Sequence, residues 1–362
     1  MASDVMLLVG TTKGLFTYRS DATRTDWTMD GPFLPGWEIS TIATTSNGQD
    51  RPRLLVGTTH YAYGATIRAS DDLGASWKQI EHGPAYAKES GFKMERIWQI
   101  VSHPTRPHTL YAGCAEAGLF VSDDGGAHWR ELDALTKHPT RPNWFPGAGG
   151  LCLHTIVLDH ANPDRIWLGI SAVGCFRSTD AGQTWTLCNQ GLPTLATGSE
   201  DESVARCVHR IVQHPTKSDT LFMQYHGGVL RSDDGASSWR KIENGLPGNF
   251  GFPMVVTRRG ELCITPLTSD EQRYFRDGKF AVYRSTDEGA SWSAATRGLP
   301  DEPSFVGVLR DAMCTDDCDE PGVYLGSTMG QVYASRDAGQ SWSKLPGELP
   351  RVLSVRTLRV RT

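Results

Sequence analysis

Short apolar runs alternate with polar phrases along the whole chain. Runs such as GLFTYR, GVLR and GQVYA are rich in β-branched and aromatic residues, and each leads into a polar phrase that ends in tryptophan. A short polar run such as KQI or RKI follows the phrase. Runs of this kind, bounded by Asp, Gly and Ser, are typical of strands joined by tight turns. The pattern predicts a chain built from short β-strands.

The polar phrase recurs with a nearly fixed period. Its copies are SDATRTDW, SDDLGASW, SDDGGAHW, STDAGQTW, SDDGASSW, STDEGASW and SRDAGQSW, with serines at positions 20, 70, 122, 178, 232, 285 and 335. Neighbouring copies are 50 to 56 residues apart, which indicates a repeat architecture. The first copy keeps only the serine and the tryptophan, and Ala236 replaces a glycine in the fifth. We expect slight strain at Ala236.

Each unit has two further β-rich runs upstream of the phrase, for example HTIVLDH and RIWLGI. Four strands per unit is the count of a β-propeller blade. The N-terminus supplies three strands of one blade, and RVLSVRTLRV at the C-terminus supplies the fourth, which would leave no exposed sheet edge. The sequence thus predicts an all-β, seven-bladed β-propeller with four antiparallel strands per blade. We expect residues 1–362 to form a single domain, with the C-terminal strand closing the ring by joining the N-terminal blade.

The phrase resembles the Asp-box, or BNR, repeat S-x-D-x-G-x-[ST]-W, and the resemblance covers nearly the full chain. Such repeats occur in sialidases, in xyloglucan-cleaving glycosyl hydrolases, in sortilin-type receptors and in a plant photosystem assembly factor. The resemblance implies that each box is a hairpin between the third and fourth strands of a blade, remote from the catalytic face. The boxes are then architectural, and function must be argued from the opposite face.

Composition and charge exclude several classes of partner. The net charge is -5 and no basic run occurs, which argues against nucleic acid and anionic membranes as partners. The start MASDVMLLVG has no basic leader, and no stretch approaches the roughly 18 apolar residues of a spanning helix. We therefore expect a cytoplasmic protein, and the sequence does not determine its oligomeric state.

The eight cysteines form no CxxC pair, and most are expected to be core residues. For Cys314 and Cys318 a reduced loop is favoured over a bridge or a metal site.

Superposing the units on their second strands locates candidate site residues. Twelve residues before that strand, at the head of the innermost strand, stand Trp98, His154, His209 and Asp311. The turn after the second strand supplies a second set, treated as equivalent: Lys13, His60, Glu116, Ala172, His226 and Met329. Both sets are expected at one face of the ring, around a central pocket.

Long insertions point to the same face. They are PAYAKESGFKMER, TKHPTRPNWFPGAGG, PTLATGSEDESVAR and TSDEQRYFRDGKF, and loops on a rigid scaffold commonly carry binding residues. Aromatic residues would wall a pocket there and arginines would engage an anionic group. The substrate-binding candidates are Arg96, Trp98, Trp144, Tyr225, Phe252 and Arg310, with Arg206 as a further candidate for the anion.

Histidines from neighbouring units suggest a metal site. Imidazole is a common ligand of transition metals, and the candidate ligands are His154, His209 and His226 from adjacent blades, with His60. A bound divalent ion lowers the pKa of its water to about 7 and so supplies a nucleophile. We expect a glycosyl hydrolase-like enzyme that hydrolyses or lyses a small polar or sugar-like substrate. It would use Zn, Fe, Mn or Cu and no organic cofactor, with Glu116 or Asp311 as ligand or general base.

Three alternatives remain open at this point. A metal-free glycosidase needs two carboxyl groups roughly 5 to 9.5 Å apart, for which Glu116 and Asp311 are the candidates. A four-histidine oxidative site would resemble the iron site of the carotenoid-cleaving oxygenases, which is an analogy of fold alone. A non-enzymatic scaffold would resemble the sortilin and assembly-factor branches. A sialidase is disfavoured because the chain lacks an F-R-I-P-type motif and equivalent arginines.

Overall fold

The computed structural model describes residues 3–45, 51–195 and 199–361. Strands dominate this part of the chain, and its helical segments are three short 3₁₀ turns at Lys88–Ser90, Arg141–Asn143 and Arg276–Gly278. Among the described residues, no helix has the length and apolar character needed to cross a lipid bilayer. The fold is all-β, as the sequence predicts.

Four-stranded antiparallel sheets follow one another along the chain. The first three strands are β1 (Ser3–Thr11), β2 (Gly14–Ser20) and β3 (Thr28–Phe33). The next sheet contains β4 (Glu38–Thr45), β5 (Arg53–His60), β6 (Gly64–Ser70) and β7 (Lys78–Gln79). It is followed by the sheet of β8 (Ile97–Ser102), β9 (Leu110–Cys114), β10 (Leu119–Ser122) and β11 (Arg130–Glu131).

Three further sets of four strands repeat the same meander. They are β12 (Leu153–Leu158), β13 (Ile166–Ile170), β14 (Gly174–Ser178) and β15 (Thr186–Leu187); β16 (Val208–Gln213), β17 (Leu221–Tyr225), β18 (Gly228–Ser232) and β19 (Arg240–Lys241); and β20 (Phe250–Val256), β21 (Leu262–Leu267), β22 (Val282–Ser285) and β23 (Ser293–Ala295).

The remaining strands join the two ends of the chain. They are β24 (Val308–Thr315), β25 (Val323–Ser327), β26 (Val332–Ser335), β27 (Ser343–Lys344) and β28 (Val352–Arg361). With β1 to β3 they form a sheet in the order β27-β26-β25-β24-β28-β1-β2-β3. Strand β28 pairs antiparallel with β1 from Ser3↔Arg361 to Thr11↔Val352. Its link to β24 is a parallel bridge between Asp311 and Ser354.

Neighbouring sheets pack face to face and share a core. All residues of β13 and of β17 are buried. Leu119 of β10, Ile166 of β13 and Phe176 of β14 belong to one apolar cluster. Strands covered on both faces have nearly continuous apolar sequences, which explains why runs such as RIWLGI show little alternation.

The repeated phrases, called repeat hairpins below, connect the third and fourth strands of their units. In the copy that starts at Ser178, the serine Oγ donates to Asp180 Oδ1 at 2.7 Å and accepts the Gly182 N–H at 2.8 Å. Asp180 accepts both the N–H and the hydroxyl of Thr184, at 2.9 and 2.6 Å. The serine–aspartate bond recurs at Ser70, Ser122, Ser232, Ser285 and Ser335. The hydrogen bonds of these side chains are therefore made within the turn.

The eight cysteines of the chain are free thiols.

Candidate functional site

The first strands of successive sheets carry β-bulges at a corresponding position. In β8, β12 and β16 the pairing with the next strand skips one residue, and the skipped residues are Trp98, His154 and His209. In β24 the pairing skips from Val308 to Met313, an interval that contains Asp311. A bulge re-aims the extra side chain away from the regular ladder. The four positions superposed from the sequence are therefore structurally equivalent.

The bulged residues surround a cavity of about 1010 Å³, called the central cavity below. Each of the four long insertions contributes to its wall, through Arg96, Pro146, Leu195 and Arg273. Part of the third insertion, residues 196–198, lies outside the described residues. The inner strands and the long loops thus converge on one cavity.

Most of the candidate residues from the sequence lie in the wall of the central cavity. These are Arg96, Trp98, His154, His209, His226, Phe252, Arg310 and Asp311. Glu116 lines an adjoining pocket of about 400 Å³, whose wall also includes Arg96 and Trp98. The two carboxylates proposed as catalytic therefore line different, neighbouring pockets.

Four candidates lie elsewhere in the described part of the chain. Arg206 donates to the carbonyls of Glu202 and Ala205 and is absent from the walls of both pockets. Trp144 is 6% exposed and packs 5.4 Å from the ring of Phe176. Tyr225 is fully buried, and its hydroxyl donates to the carbonyl of Pro193 at 2.5 Å. His60 stacks on exposed tyrosines of its own turn, at ring distances of 4.6 and 4.9 Å. The contacts of Trp144 and Tyr225 are those of core residues, and His60 belongs to a separate aromatic surface.

His154 is buried at the cavity wall with both ring nitrogens occupied. Its Nε2 lies 3.0 Å from the carbonyl oxygen of Val208, and its Nδ1 lies 3.0 Å from Thr155 Oγ1. A carbonyl can only accept, so Nε2 carries the proton and Nδ1 accepts from the threonine hydroxyl. Burial holds the pKa of His154 well below its usual range. The expected ligand role for His154 would require breaking one of these hydrogen bonds.

Cys207, which the sequence interpretation did not select, joins two of the predicted histidines. One ligand atom from each of Cys207, His209 and His226 lies within 4.8 Å of the other two, and this group is called the cysteine–histidine cluster below. Burial, with a smaller effect of the Arg310 charge, holds the pKa of His209 well below its usual range, so its ring is neutral. Burial also raises the pKa of the Cys207 thiol.

Backbone hydrogen bonds place Cys207 and His226 opposite each other. The His226 N–H donates to the Cys207 carbonyl at 3.0 Å, just as the Ser171 N–H donates to the Cys152 carbonyl in the preceding sheet. His226 is therefore equivalent to Ser171, and the equivalence with Glu116 expected from the sequence is off by one residue. The signal that could have revealed Cys207 is the repeated C-x-H, as CLH at 152–154 and CVH at 207–209.

Arg310 lies over two aromatic rings at the cavity wall. Its guanidinium carbon is 5.8 Å from the ring centre of Trp98 and 5.8 Å from that of Phe252. Its Nε donates to the His209 carbonyl at 2.7 Å. Burial lowers the pKa of Arg310, but an arginine remains charged at neutral pH. The cavity thus holds a cation flanked by apolar ring faces.

The carboxylates of the cavity wall differ in their partners. Asp311 Oδ1 accepts from Arg210 Nη1 at 2.6 Å, whereas its Oδ2 has no hydrogen-bond partner among the described residues. Glu38 pairs with Arg96 at 2.5 Å. Asp270 Oδ2 lies 3.4 Å from His226 Nε2. Asp311 keeps an unoccupied acceptor, and Asp270 belongs to the surroundings of the cysteine–histidine cluster.

Four-stranded antiparallel meanders whose first strands line a central cavity define a β-propeller fold. No protein-family model matches the chain. The chain is 24% identical over 266 residues to a xyloglucanase of Paenibacillus sp, covering 64% of this chain and 25% of the relative. It is 26% identical over 308 residues to an oligoxyloglucan-reducing end-specific xyloglucanase of Emericella nidulans, covering 75% and 35%. The chain thus spans about a quarter to a third of these curated relatives.

Solved structures show the same fold. An ancestral GH74 enzyme superposes with a TM-score of 0.56 at 16% identity, covering 85% of this chain and 38% of that enzyme. YCF48, solved bound to a D1 peptide, superposes with a TM-score of 0.55 at 14% identity, covering 90% of this chain and 97% of YCF48. At such identities the likeness concerns the fold alone.

Proposed function

We propose that the protein is a glycosyl hydrolase-like enzyme whose central cavity binds and hydrolyses a small polar or sugar-like substrate. The observation that carries this proposal is the placement of Arg310 over the rings of Trp98 and Phe252 in the cavity wall, next to Asp311 in the chain. Guanidinium groups already lie over both rings, Arg96 over Trp98 and Arg273 over Phe252 in addition to Arg310, so the cation and not ring stacking is what the cavity offers. A desolvated guanidinium binds carboxylate or phosphate in a directed way. The xyloglucanase relatives support a glycan as the substrate class.

Each residue of this group has a distinct role in the proposal. Arg310 orients an anionic group of the substrate. Asp311 is the general base: Arg210 holds Oδ1, while Oδ2 is buried without a hydrogen-bond partner among the described residues and would have to become accessible when substrate binds. A divalent transition metal would supply an activated water at neutral pH. Glu116 lines the adjoining pocket and is the second carboxylate in the metal-free alternative.

We also infer that the molecule is a closed ring of seven blades. Five separate four-stranded sheets and the two halves of the eight-stranded sheet make seven sets of four strands. The antiparallel pairing of β28 with β1 supports closure by the C-terminal strand. The cytoplasmic location, the lack of an organic cofactor and the lack of nucleic-acid and membrane partners remain predictions from the sequence.

A glycoside panel tests the proposed activity. The panel contains neutral oligosaccharides, including xyloglucan fragments, and acidic ones with a carboxylate or phosphate, and the measured quantity is released reducing sugar. Activity is expected on acidic members. Arg310→Gln is expected to lower kcat/KM about 10- to 100-fold, since hydrogen bonds to charged groups contribute about 1.5–3 kcal/mol.

Arg206→Gln is the matched control. Arg206 donates to the carbonyls of Glu202 and Ala205 and does not belong to the described wall of the central cavity, so kcat/KM should stay unchanged. Wild-type protein that releases no sugar from any member contradicts the hydrolase and favours a binding scaffold. Activity that survives chelation and depends on both Glu116 and Asp311 favours the metal-free glycosidase.

A further inference from the structure

We infer that Cys207, His209 and His226 bind a zinc-like divalent ion, with the fourth coordination position open to the central cavity. This inference gives the proposed hydrolase a defined metal centre, and it rests on that proposal only for what the ion does. One ligand atom from each residue already lies within 4.8 Å of the others. Tetrahedral zinc with Zn–S of about 2.3 Å and Zn–N of about 2.0 Å needs ligand separations of about 3.3–3.8 Å. An approach of about 1 Å therefore completes the site.

His209 is held in the orientation that a ligand needs. Its Nδ1 lies 2.6 Å from the Gly251 carbonyl, and because a carbonyl only accepts, Nδ1 carries the proton and Nε2 keeps its lone pair. The ring also stacks on Phe252 at 4.9 Å. Metal-binding histidines characteristically donate their second nitrogen to a carbonyl or carboxylate, which fixes the tautomer and the ring.

His226 has the corresponding carboxylate arrangement. Its Nε2 lies 3.4 Å from Asp270 Oδ2, which leaves Nδ1 for the metal. Its ring lies 5.4 Å from that of His209 and 5.2 Å from Phe250. Asp270 also supplies a negative charge close to the ion. The two histidines therefore each have a partner of the kind found around metal ligands.

Cys207 completes the set through the backbone. Its carbonyl accepts the His226 N–H at 3.0 Å, so the two residues face each other across the start of the hairpin. On binding, the thiol proton leaves to solvent and the thiolate forms the metal–sulfur bond, so one proton is released for each ion bound. The thiolate and the Asp270 carboxylate together balance the two charges of the ion.

The donor set narrows the choice of metal. Thiolate with imidazole selects zinc, copper or iron and disfavours the oxygen-seeking ions magnesium, calcium and manganese. Three protein ligands with a fourth open position is the pattern of catalytic zinc sites. Arg310, which donates to the His209 carbonyl, adds a positive charge beside the centre and so favours an anionic fourth ligand, such as hydroxide or an acidic group of the substrate.

The preceding sheet provides an internal comparison for the proposed metal site. It has Cys152 and His154 at the positions equivalent to Cys207 and His209, but Ser171 stands where the cluster has His226. Both nitrogens of His154 are occupied, and the Cys152 thiol donates to the Gly149 carbonyl at 2.8 Å. The preceding sheet therefore has no histidine as third ligand, and its His154 has no free nitrogen lone pair.

Metal binding is tested on the full chain without a polyhistidine tag. The protein is stripped with a chelator, loaded with zinc or with cobalt(II), and assayed by elemental analysis and absorption spectroscopy. We expect one ion per chain, with a thiolate-to-cobalt charge-transfer band and tetrahedral d–d bands. Cys207→Ser removes the charge-transfer band, and His226→Gln raises the zinc Kd at least about 100-fold. Asp270→Asn raises it about 10- to 100-fold.

The control variant is Cys152→Ser, which should keep the stoichiometry, the spectrum and the Kd of the wild type. Circular dichroism checks that each variant folds. If a variant at buried His209 does not fold, His226→Gln, at a partly exposed turn, still tests metal binding. A cobalt spectrum without the thiolate band, or equal losses in Cys152→Ser and Cys207→Ser, overturns the inference. Metal binding without activity on any glycoside supports the metal centre and contradicts the hydrolase. Glycoside activity in a protein that binds no ion contradicts the metal centre and supports the hydrolase.

Discussion

Ala236 stands at a backbone position where the other complete repeat hairpins have glycine. Its φ is +71°, and the equivalent glycines at 74, 126, 182, 289 and 339 have φ between +86° and +91°. A side chain at such φ is strained. Ala236→Gly is therefore expected to raise the free energy of unfolding by about 0.5–1 kcal/mol, measured by chemical denaturation.

Ala75 provides the matched control for that substitution. It lies one position later in its own repeat hairpin, is exposed, and is not among the positive-φ residues. Ala75→Gly should lower the stability by about 0.5–1 kcal/mol, because glycine gains freedom in the unfolded chain without relief of strain. A loss of similar size in Ala236→Gly would mean that the buried methyl group outweighs the strain.

The positions of the candidate residues were predictable only as far as the repeat specifies them. Counting along equivalent strands located Trp98, His209 and Asp311, because each unit places its bulge at the same point. Alignment of the repeats could not show that His154 Nε2 donates a hydrogen bond to the carbonyl of Val208, in the next sheet. Cys207 was not selected because a cysteine beside an apolar strand is ordinarily a core residue. Its partner His226 lies next to it only because the two strands pair.

The repeat hairpins make the fold sensitive to acid. The side-chain hydroxyl of Ser76 and its N–H bond the Asp72 carboxylate and lower its pKa to about 2, and hydrogen bonds from Ser291 lower the pKa of Asp287. An aspartate in the unfolded chain titrates near 3.9, so the folded state binds fewer protons. The stabilisation is complete above about pH 5 and is lost as the pH falls through the folded value of about 2.

This prediction concerns the slope of stability against pH. The free energy of unfolding should fall between about pH 4 and pH 2, and the fall should be smaller in Asp72→Asn. Asp301→Asn, at an exposed aspartate outside the repeat hairpins, should retain the wild-type slope. Identical slopes in Asp72→Asn and the wild type would show that the hairpin carboxylates do not contribute to acid unfolding.

At the scale of elements, hairpins were easier to predict than loops. The repeat hairpins depend on bonds between residues two and four apart, such as those of Ser178 with Asp180 and Gly182, so a short phrase contains the required chemistry. The long insertion at 136–150 was expected to reach the cavity, and it does so through Pro146. Its Trp144 instead packs on Phe176, a contact 32 residues away that no local pattern specifies.

At the scale of the whole molecule, the all-β fold of four-stranded sheets was predictable because the same unit repeats along the chain. Each sheet packs on its neighbours, so one well-formed unit predicts the next. The first unit is the exception, since its phrase lacks the aspartate and the glycine. There Arg24, at φ +56°, donates to Asp316 Oδ2 at 2.8 Å, and this buried pair links the first unit to the last. The first hairpin lacks the serine–aspartate bond of the other copies, and this contact, between residues 292 apart in the chain, ties it to the last unit instead.

Strand β28 should determine whether the proposed ring holds together. It pairs with β1 over its whole length and bridges to β24, while its Leu353 and the preceding Arg351 line the central cavity. A chain that ends at Arg351 leaves the edges of β1 and β24 unpaired. We expect its free energy of unfolding to be lower by several kcal/mol, seen as a denaturation midpoint at lower denaturant concentration.

A peptide of residues 352–361 tests whether this loss arises from the missing strand. Added to the truncated chain, VLSVRTLRVR can dock as the absent strand, and it should restore the denaturation midpoint in a concentration-dependent way. The same peptide with Leu358→Pro, which removes a backbone donor opposite Met6, should restore little. Equal stability of the truncated and full chains would contradict closure, because an unclosed sheet edge would then carry no energetic penalty. Restoration by both peptides would point to a nonspecific effect of a basic peptide instead.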